Sequence, residues 1–536
     1  MPALPKVGLA QLAKEGTRQM AGEEGVMGNI GACHELSKLV RSSLGPKGMN
    51  KLVVNHLGKS FLTKDSATII QELELEHPAA KLIVMAAQDQ AVEMGDGATS
   101  SIVFAGELLN QAGDLLNQGL TVQDIRRGFE LATTHILKEL ESDVAIADNF
   151  TDITKENVAR LVDPVVSSKL GDLSMVVSPL IGEAVETVAR NGKFTPNSIQ
   201  VAKLMGGNLS MSAVVRGVVM QQVSRTTVTE LKDANIAVYA CPLDYEEMET
   251  KGTVVLETAE DLKNYSNKEE SHMEKLIQDI VDAGVNTIVV NGSIGDLALH
   301  YCEMKGLMVI RIHSKFELRR IASSVGASVL VNLLPPSTKQ MGHSDEIYTK
   351  EFGDVTVTIA RNNLSSTSSG IATVVLRAAT KNLIEDVDRA VANGVNTTYH
   401  MTKDPVLVAG GGAIEMFLAH SLLRLADNTA DLSQYAIRAY AVALQQIPRV
   451  LAETGGMDAT TVIANLMVAQ EEGKTTMGVN ISDMRDPLLD MKAAGVLDHR
   501  GTKYHMLQGA AQAAVTVLSV DHLIMSKQAG GPAPRG

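Results

Sequence analysis

The sequence predicts an α+β protein of several domains. Three observations carry this expectation. The chain has 536 residues, and that length corresponds to about three or four domains. Residues 77–118 read as two apolar helical runs broken by a glycine-rich turn. The middle of the chain alternates short apolar strands with helices. Hydrophobic residues make up 45% and charged residues 21%, enough to build sizeable cores.

Composition narrows the function. A formal net charge of −14 argues against a nucleic-acid backbone as partner. Aromatic residues are 3% with no Trp, so base-stacking platforms are not expected. The 24 Met residues read mainly as core filler. Cys33, Cys241 and Cys302 are far apart and lack metal-type spacing, so they read as buried thiols of a reducing compartment. No uninterrupted apolar run is expected to cross a bilayer, and the N-terminus lacks a signal-peptide core. A cytoplasmic protein with no membrane partner is expected.

Residues 1–20 are mixed and polar and read as a loosely held arm. Residues 25–43 read as a helix with Ile30, Leu36 and Leu39 on one face. It stops at Leu44-Gly45-Pro46-Lys47-Gly48, a turn whose backbone is free to meet a ligand. Residues 51–55 and 59–63 read as a hairpin across His56-Leu57-Gly58. A helix then opens at Lys64-Asp65-Ser66, with Asp65 as N-cap. Gly58-Lys59-Ser60 and Gly473-Lys474-Thr475 each end like a P-loop. Val53 and Val468 stand where the earlier glycine belongs, so both are rejected.

The chain is organised around Glu93-Met94-Gly95-Asp96-Gly97-Ala98-Thr99-Ser100-Ser101. The helix before it opens with Pro78; the one after it runs over 99–118 and stops at Gly119. The free N–H groups opening the second helix form an anion site. Asp96 can hold Mg²⁺, which takes one or two carboxylates plus phosphate oxygens and water. Thr99 and Ser100 can donate to phosphate. The same residues also read as an αα-corner with a capping Asp and Ser, and from this stretch alone that reading stands first.

In the middle, residues 285–290, 307–312 and 327–331 read as strands. Helices over 293–305 and 314–325 separate them, which implies parallel βαβ pairing. No G-x-G-x-x-G follows a strand, so this is not a dinucleotide fold. Residues 246–270 are rich in Glu and read as a charged excursion.

Taken together, Leu44-Gly45-Pro46-Lys47-Gly48-Met49-Asn50-Lys51, Leu62-Thr63-Lys64-Asp65, Glu76-His77-Pro78-Ala79-Ala80-Lys81, Gly95-Asp96-Gly97, Ala409-Gly410-Gly411-Gly412-Ala413 and Ala494-Gly495-Val496-Leu497-Asp498 resemble the chaperonin signatures in spacing and order. The resemblance covers nearly the whole chain. Within the group II chaperonins, residues 50–57 and 524–532 resemble the theta class of the eukaryotic cytosolic chaperonin (TRiC/CCT).

The resemblance implies a chaperonin fold of three nested domains. A helical equatorial domain would take 1–148 and 402–536, a small intermediate domain 149–213 and 369–401, and an α/β apical domain 214–368. The apical domain would carry the 246–270 excursion as a helical protrusion, a built-in lid. ATP or ADP with Mg²⁺ would be the ligand. Leu44, Gly45 and Pro46 would flank it. Asp96 would hold the metal, with Gly97, Ala98, Thr99 and Ser100 around the phosphates. Gly411 would pack on the adenosine, where a side chain would collide with it. Asp498 would take the ribose hydroxyls, with Val496 and Lys503 nearby. Ser167, Ser168 and Lys169 would approach on closure.

Hydrolysis would use two carboxylates. One corresponds to Asp65. At the other position this chain has Asn393, an amide that cannot usefully take a proton from water. Asp386 lies two turns away, roughly 10 Å. Two milder departures are Ser66, where Gly is usual, and Ala98, which lacks a hydroxyl. Lys315, Phe316, Arg319, Arg320, Ser323 and Ser324 lie off the core face of the helix from Ser314. By resemblance that helix would line a groove for unfolded clients, with Leu318 and Ile321 in the core. The implied partners are seven homologous subunits in a double eight-membered ring, actin- and tubulin-class clients, and prefoldin. The alternatives are an inert structural ring subunit and a stand-alone small-molecule kinase or ATPase.

Overall fold

The computed structural model describes residues 18–55, 58–73, 75–142, 144–189, 194–244, 259–352, 355–361 and 371–525, with backbone alone at 18–24, 259–269 and 523–525. Residues 1–17 of the arm expected over 1–20, the turn residues 56–57, residues 246–258 of the excursion expected over 246–270, and the tail beyond 525 lie outside the described residues. The chain divides into two compact units. The first comprises residues 1–151, 160–174 and 396–536; the second comprises 152–159 and 175–395.

The first unit is a helical core. At its centre runs the helix Ala98–Asn117, buried along most of its length. Around it pack Gly22–Arg41, Pro78–Glu93, Ser433–Leu444 and Arg500–Leu518. Gly106 allows a close approach: a Cβ there would lie 2.3 Å from Ser37 Cβ. Phe104 and Phe129 each meet Tyr440 edge-on, with ring centroids 5.4 and 5.7 Å apart. All three rings are fully buried. The helix Gly22–Arg41 buries Ile30, Leu36 and Val40. Leu39 departs from expectation. It is 41% exposed, because Val40 takes the inward position one turn after Leu36.

Two small sheets shape the edges of this unit. Lys51–Val54 and Ser60–Thr63 form the expected hairpin, in register Lys51 to Thr63. Leu497–His499, Val406–Ala409 and Ile146–Asn149 form a three-stranded antiparallel sheet. The backbone strands Arg18–Ala21 and His522–Met525 pair antiparallel.

The second unit contains a mixed sheet. Met308–Arg311, Thr287–Val290, Glu230–Tyr239 and Val329–Leu330 pair parallel, as the strand–helix alternation implies. Gly342–Phe352, Val355–Arg361 and Val218–Met220 extend the sheet antiparallel. A second sheet orders Ile199–Met205, Ala372–Ala378 and Ala213–Arg216. The helix Lys315–Val325 starts from the N-cap Ser314, whose side chain accepts from Glu317 N–H. It buries Leu318 and Ile321 and exposes Lys315, Phe316, Arg319, Arg320 and Ser323. Ser324 is a correction. It is buried, and its hydroxyl donates to Arg320 O at 2.6 Å.

One stretch bears on the membrane expectation. By length and composition, Lys155–Val188 is apolar enough to cross a bilayer, with 39% of its apolar window buried in the protein. Core helices pass the same test, and a 3₁₀ turn at Gly171–Leu173 interrupts this one.

Candidate nucleotide site

The first unit contains a cavity of about 290 Å³. Segments far apart in sequence line it. Leu44, Gly45 and Pro46 come from the turn after Gly22–Arg41. Asp65 precedes the helix Ser66–Glu72. Asp96 to Ser100 form the glycine turn, and Ser167 to Lys169 end the helix Lys155–Leu170. Gly411 precedes Ala413–Asp427, while Val496, Asp498 and Lys503 flank the start of Arg500–Leu518. Every nucleotide residue expected from the sequence lines this one cavity, and so does Asp65. Asn393 is not among its lining residues. It belongs to the second unit, half-buried on Lys381–Lys403, while Thr397 of the same helix does line the cavity.

The glycine turn is built for close approach. Gly95 and Gly97 have φ of +80° and +86°, where a side chain would be strained. Gly97 is the N-cap of Ala98–Asn117, and among the described residues no side chain caps that helix. The capped αα-corner is therefore not what forms. The first-turn N–H groups lack intrahelical acceptors, which leaves them for a ligand. Thr99 Oγ1 hydrogen-bonds Ser66 Oγ at 2.8 Å, so the departure at Ser66 reaches the expected phosphate loop.

Asp65 stands at an N-cap position, yet its side chain makes no capping bond. Instead its carboxylate accepts from Thr68 Oγ1 at 2.9 Å and lies 3.4 Å from Lys169 Nζ. Lys169 also donates to Gly95 O at 3.4 Å. The Ser167 and Ser168 hydroxyls are spent on their own helix, donating to Pro164 O and Val165 O.

Burial pushes the Asp96 carboxyl above its ordinary 3.8. Lys169 opposes the rise, Asp498 adds to it, and the Gly97 N–H and Lys503 oppose it. Lys503 Nζ lies 2.6 Å from Glu415 and 2.9 Å from Asp498. Burial opposes its charge, but the two carboxylates outweigh burial and hold the amine protonated. Lys503 thus orients Asp498. Gly411 has φ +60°, and a Cβ there would lie 2.8 Å from Met491 Sδ. The left-handed backbone favours glycine there, and the flexible Met491 thioether would have to shift to admit a side chain.

Lys64 is the residue that sequence reasoning passed over. It lines the cavity, is 8% exposed, and donates to Pro46 O at 3.0 Å. Burial lowers its pKa from 10.5, and Asp172 opposes the shift. Its place between Thr63 and Asp65, inside a recognised signature, was the available signal. Asn480 and Met491 also line the cavity and had no such signal, because what they touch depends on the fold. The rejected P-loop decoys line nothing here.

The donor set fits Mg²⁺. Asp96, Asp65, Thr99 and Ser100 offer hard oxygen atoms, and a cation beside Asp96 would offset the burial that raises its pKa.

The chain matches the TCP-1/cpn60 chaperonin family model over residues 36–528. It is 43% identical over 535 residues to T-complex protein 1 subunit theta of Homo sapiens, covering 99% of this chain and 97% of that one. It is 41% identical to the probable T-complex protein 1 subunit theta of Schizosaccharomyces pombe, covering 99% and 98%. Against the subunit theta of Arabidopsis thaliana identity is 40%, covering 98% and 96%. With this match and this cavity, the chain belongs to the TCP-1/cpn60 chaperonin family.

Proposed function

We propose that this chain is an ATP-binding subunit of a cytoplasmic chaperonin that encloses and folds unfolded proteins. The observation that carries the reading is the single cavity gathering the turn at Leu44, the glycine turn at Asp96, Gly411 and Asp498. The first-turn N–H groups of Ala98–Asn117 and the Thr99 and Ser100 hydroxyls would hold the phosphates. Asp498, steadied by Lys503, would take the ribose. Asp96 would hold Mg²⁺, which when bound neutralises phosphate charge. Asp65 is the group that would orient or deprotonate the attacking water.

Asn393 occupies the position where the family carries a second carboxylate, so hydrolysis is slow. Asp386 does not replace it; its carboxylate is ion-paired with Arg389. The three-domain division, with the apical part at 214–368, assigns client docking to the exposed face of Lys315–Val325. The relatives are T-complex subunits, which favours a ring built with homologous subunits, actin- and tubulin-class clients, and delivery by prefoldin.

The test measures equilibrium Mg-ATP binding alongside hydrolysis for the full-length chain. Binding with slow turnover supports the reading. Binding with no turnover favours an inert ring subunit, which Asn393 would also suit. Absence of binding sinks both, and an active monomer on size-exclusion favours a stand-alone kinase or ATPase.

A further inference from the structure

Gln90 lies in the last turn of Pro78–Glu93 and is 1% exposed. Its amide joins three segments of the first unit. Nε2 donates to Asp96 O at 2.8 Å and to Thr502 O at 3.2 Å. Oε1 is 2.6 Å from His505 Nδ1, and an amide oxygen only accepts, so that ring nitrogen donates.

The Asp96 contact has a specific consequence. A trans peptide points its C=O and the following N–H in opposite directions within one plane. Gln90 draws the Asp96 C=O toward itself. The Gly97 N–H must then face away from Gln90, and that N–H opposes the rise in the Asp96 carboxyl's pKa. The glycines on either side of Asp96 place no Cβ restraint on that plane. A Cβ on Gly97 would lie 3.0 Å from Gln90 Nε2, so the amide is packed directly beneath the turn. The second donor bond reaches Arg500–Leu518, the helix that carries Lys503 and follows Asp498.

We propose that Gln90 is a positioning residue of the nucleotide site: it fixes the Asp96–Gly97 peptide plane, aims the Asp96 carboxylate at its cation, and ties that aim to the helix holding the ribose end. This rests on the nucleotide reading above and deepens it. Gln90 is not among the residues that line the cavity. It acts only through Asp96 and Thr502.

Gln90→Glu tests it. The substitution keeps the shape and the acceptor for His505 but has no donor for either carbonyl. Gln90→Met removes the donors without adding charge. ATP and ADP affinities are measured by calorimetry on the full-length chain, once with Mg²⁺ and once with chelator. The gain in affinity that Mg²⁺ confers should shrink by about tenfold in both variants, the scale of one lost hydrogen bond. Affinity without Mg²⁺ should stay within about twofold. Equal losses in both arms would show a merely structural residue and overturn the proposal, as would no loss or failure of both variants to fold. Failure of the unsubstituted chain to bind any adenine nucleotide would instead sink the nucleotide reading itself.

Discussion

Lys169 Nζ stands 3.4 Å from Asp65 Oδ1 and 3.4 Å from the Gly95 carbonyl. One ammonium therefore joins the residue read as the water-activating carboxylate to the glycine turn read as the phosphate cradle. Both side chains of the pair are largely buried, at 16% and 11% exposure, so solvent screens them little. Lys169→Met should weaken Mg-ATP binding by about ten- to a hundredfold, the range of a lost charge-assisted hydrogen bond. Titration calorimetry reads the change. Unaltered affinity would remove Lys169 from the phosphate site.

Asn393 makes the opposite kind of prediction, a gain. General-base help is worth about 10²–10⁴-fold in rate. Asn393→Asp should therefore raise single-turnover ATP hydrolysis by a factor toward that range and leave binding nearly unchanged. No gain would mean the register assigned to this helix, or the role of the position, is wrong.

How much of this was legible depended on whether the signal was local. The glycine turn was readable because its chemistry lies within nine consecutive residues, and the hairpin and the Lys315–Val325 helix were readable from period and caps. The parallel strands at Thr287–Val290 and Met308–Arg311 were equally plain. The antiparallel half of that sheet was not. Its strands lie on both sides of the βαβ stretch, and apart from the local pairing of Gly342–Phe352 with Val355–Arg361 they pair across long sequence separations. In the site, motif order brought out the lining residues, but partner choice escaped. Asp65 reads as an N-cap in sequence and is turned to Lys169 in the fold. Lys503 reads in sequence only as a neighbour of the ribose end, and in the fold it is clamped by Glu415, 88 residues away.

The aromatic centre of the first unit yields a stability prediction. Phe104 is fully buried against Tyr440 on the central helix. Phe104→Ala should lower stability by about 3–5 kcal/mol through lost burial and the cavity left behind. Chemical denaturation followed by circular dichroism would show an early loss of helix. A change under about 1 kcal/mol would place Phe104 in a region able to collapse around the gap.

His499 sets a pH limit. Its Nδ1 accepts from Thr502 N–H at 3.1 Å and so caps Arg500–Leu518. Its Nε2 lies 3.0 Å from Asp404 O, so that nitrogen is the donor and the ring is neutral. Burial lowers its pKa from the ordinary 6.5; Asp404 opposes the shift, and His400 and Arg500 add to it. A histidine with a lowered folded pKa binds fewer protons folded than unfolded. Its contribution is complete above the unfolded value of 6.5 and is lost as pH falls toward the folded value. A tenfold difference in proton affinity between the folded and unfolded ring corresponds to about 1.4 kcal/mol of stability. Protonation would also place a hydrogen against the Thr502 N–H and break the cap next to Asp498. Wild-type melting temperature should therefore fall as pH drops below 6.5, while His499→Asn, which can cap without titrating, should flatten that slope. Parallel slopes for the two proteins would show that other groups govern the acid limit.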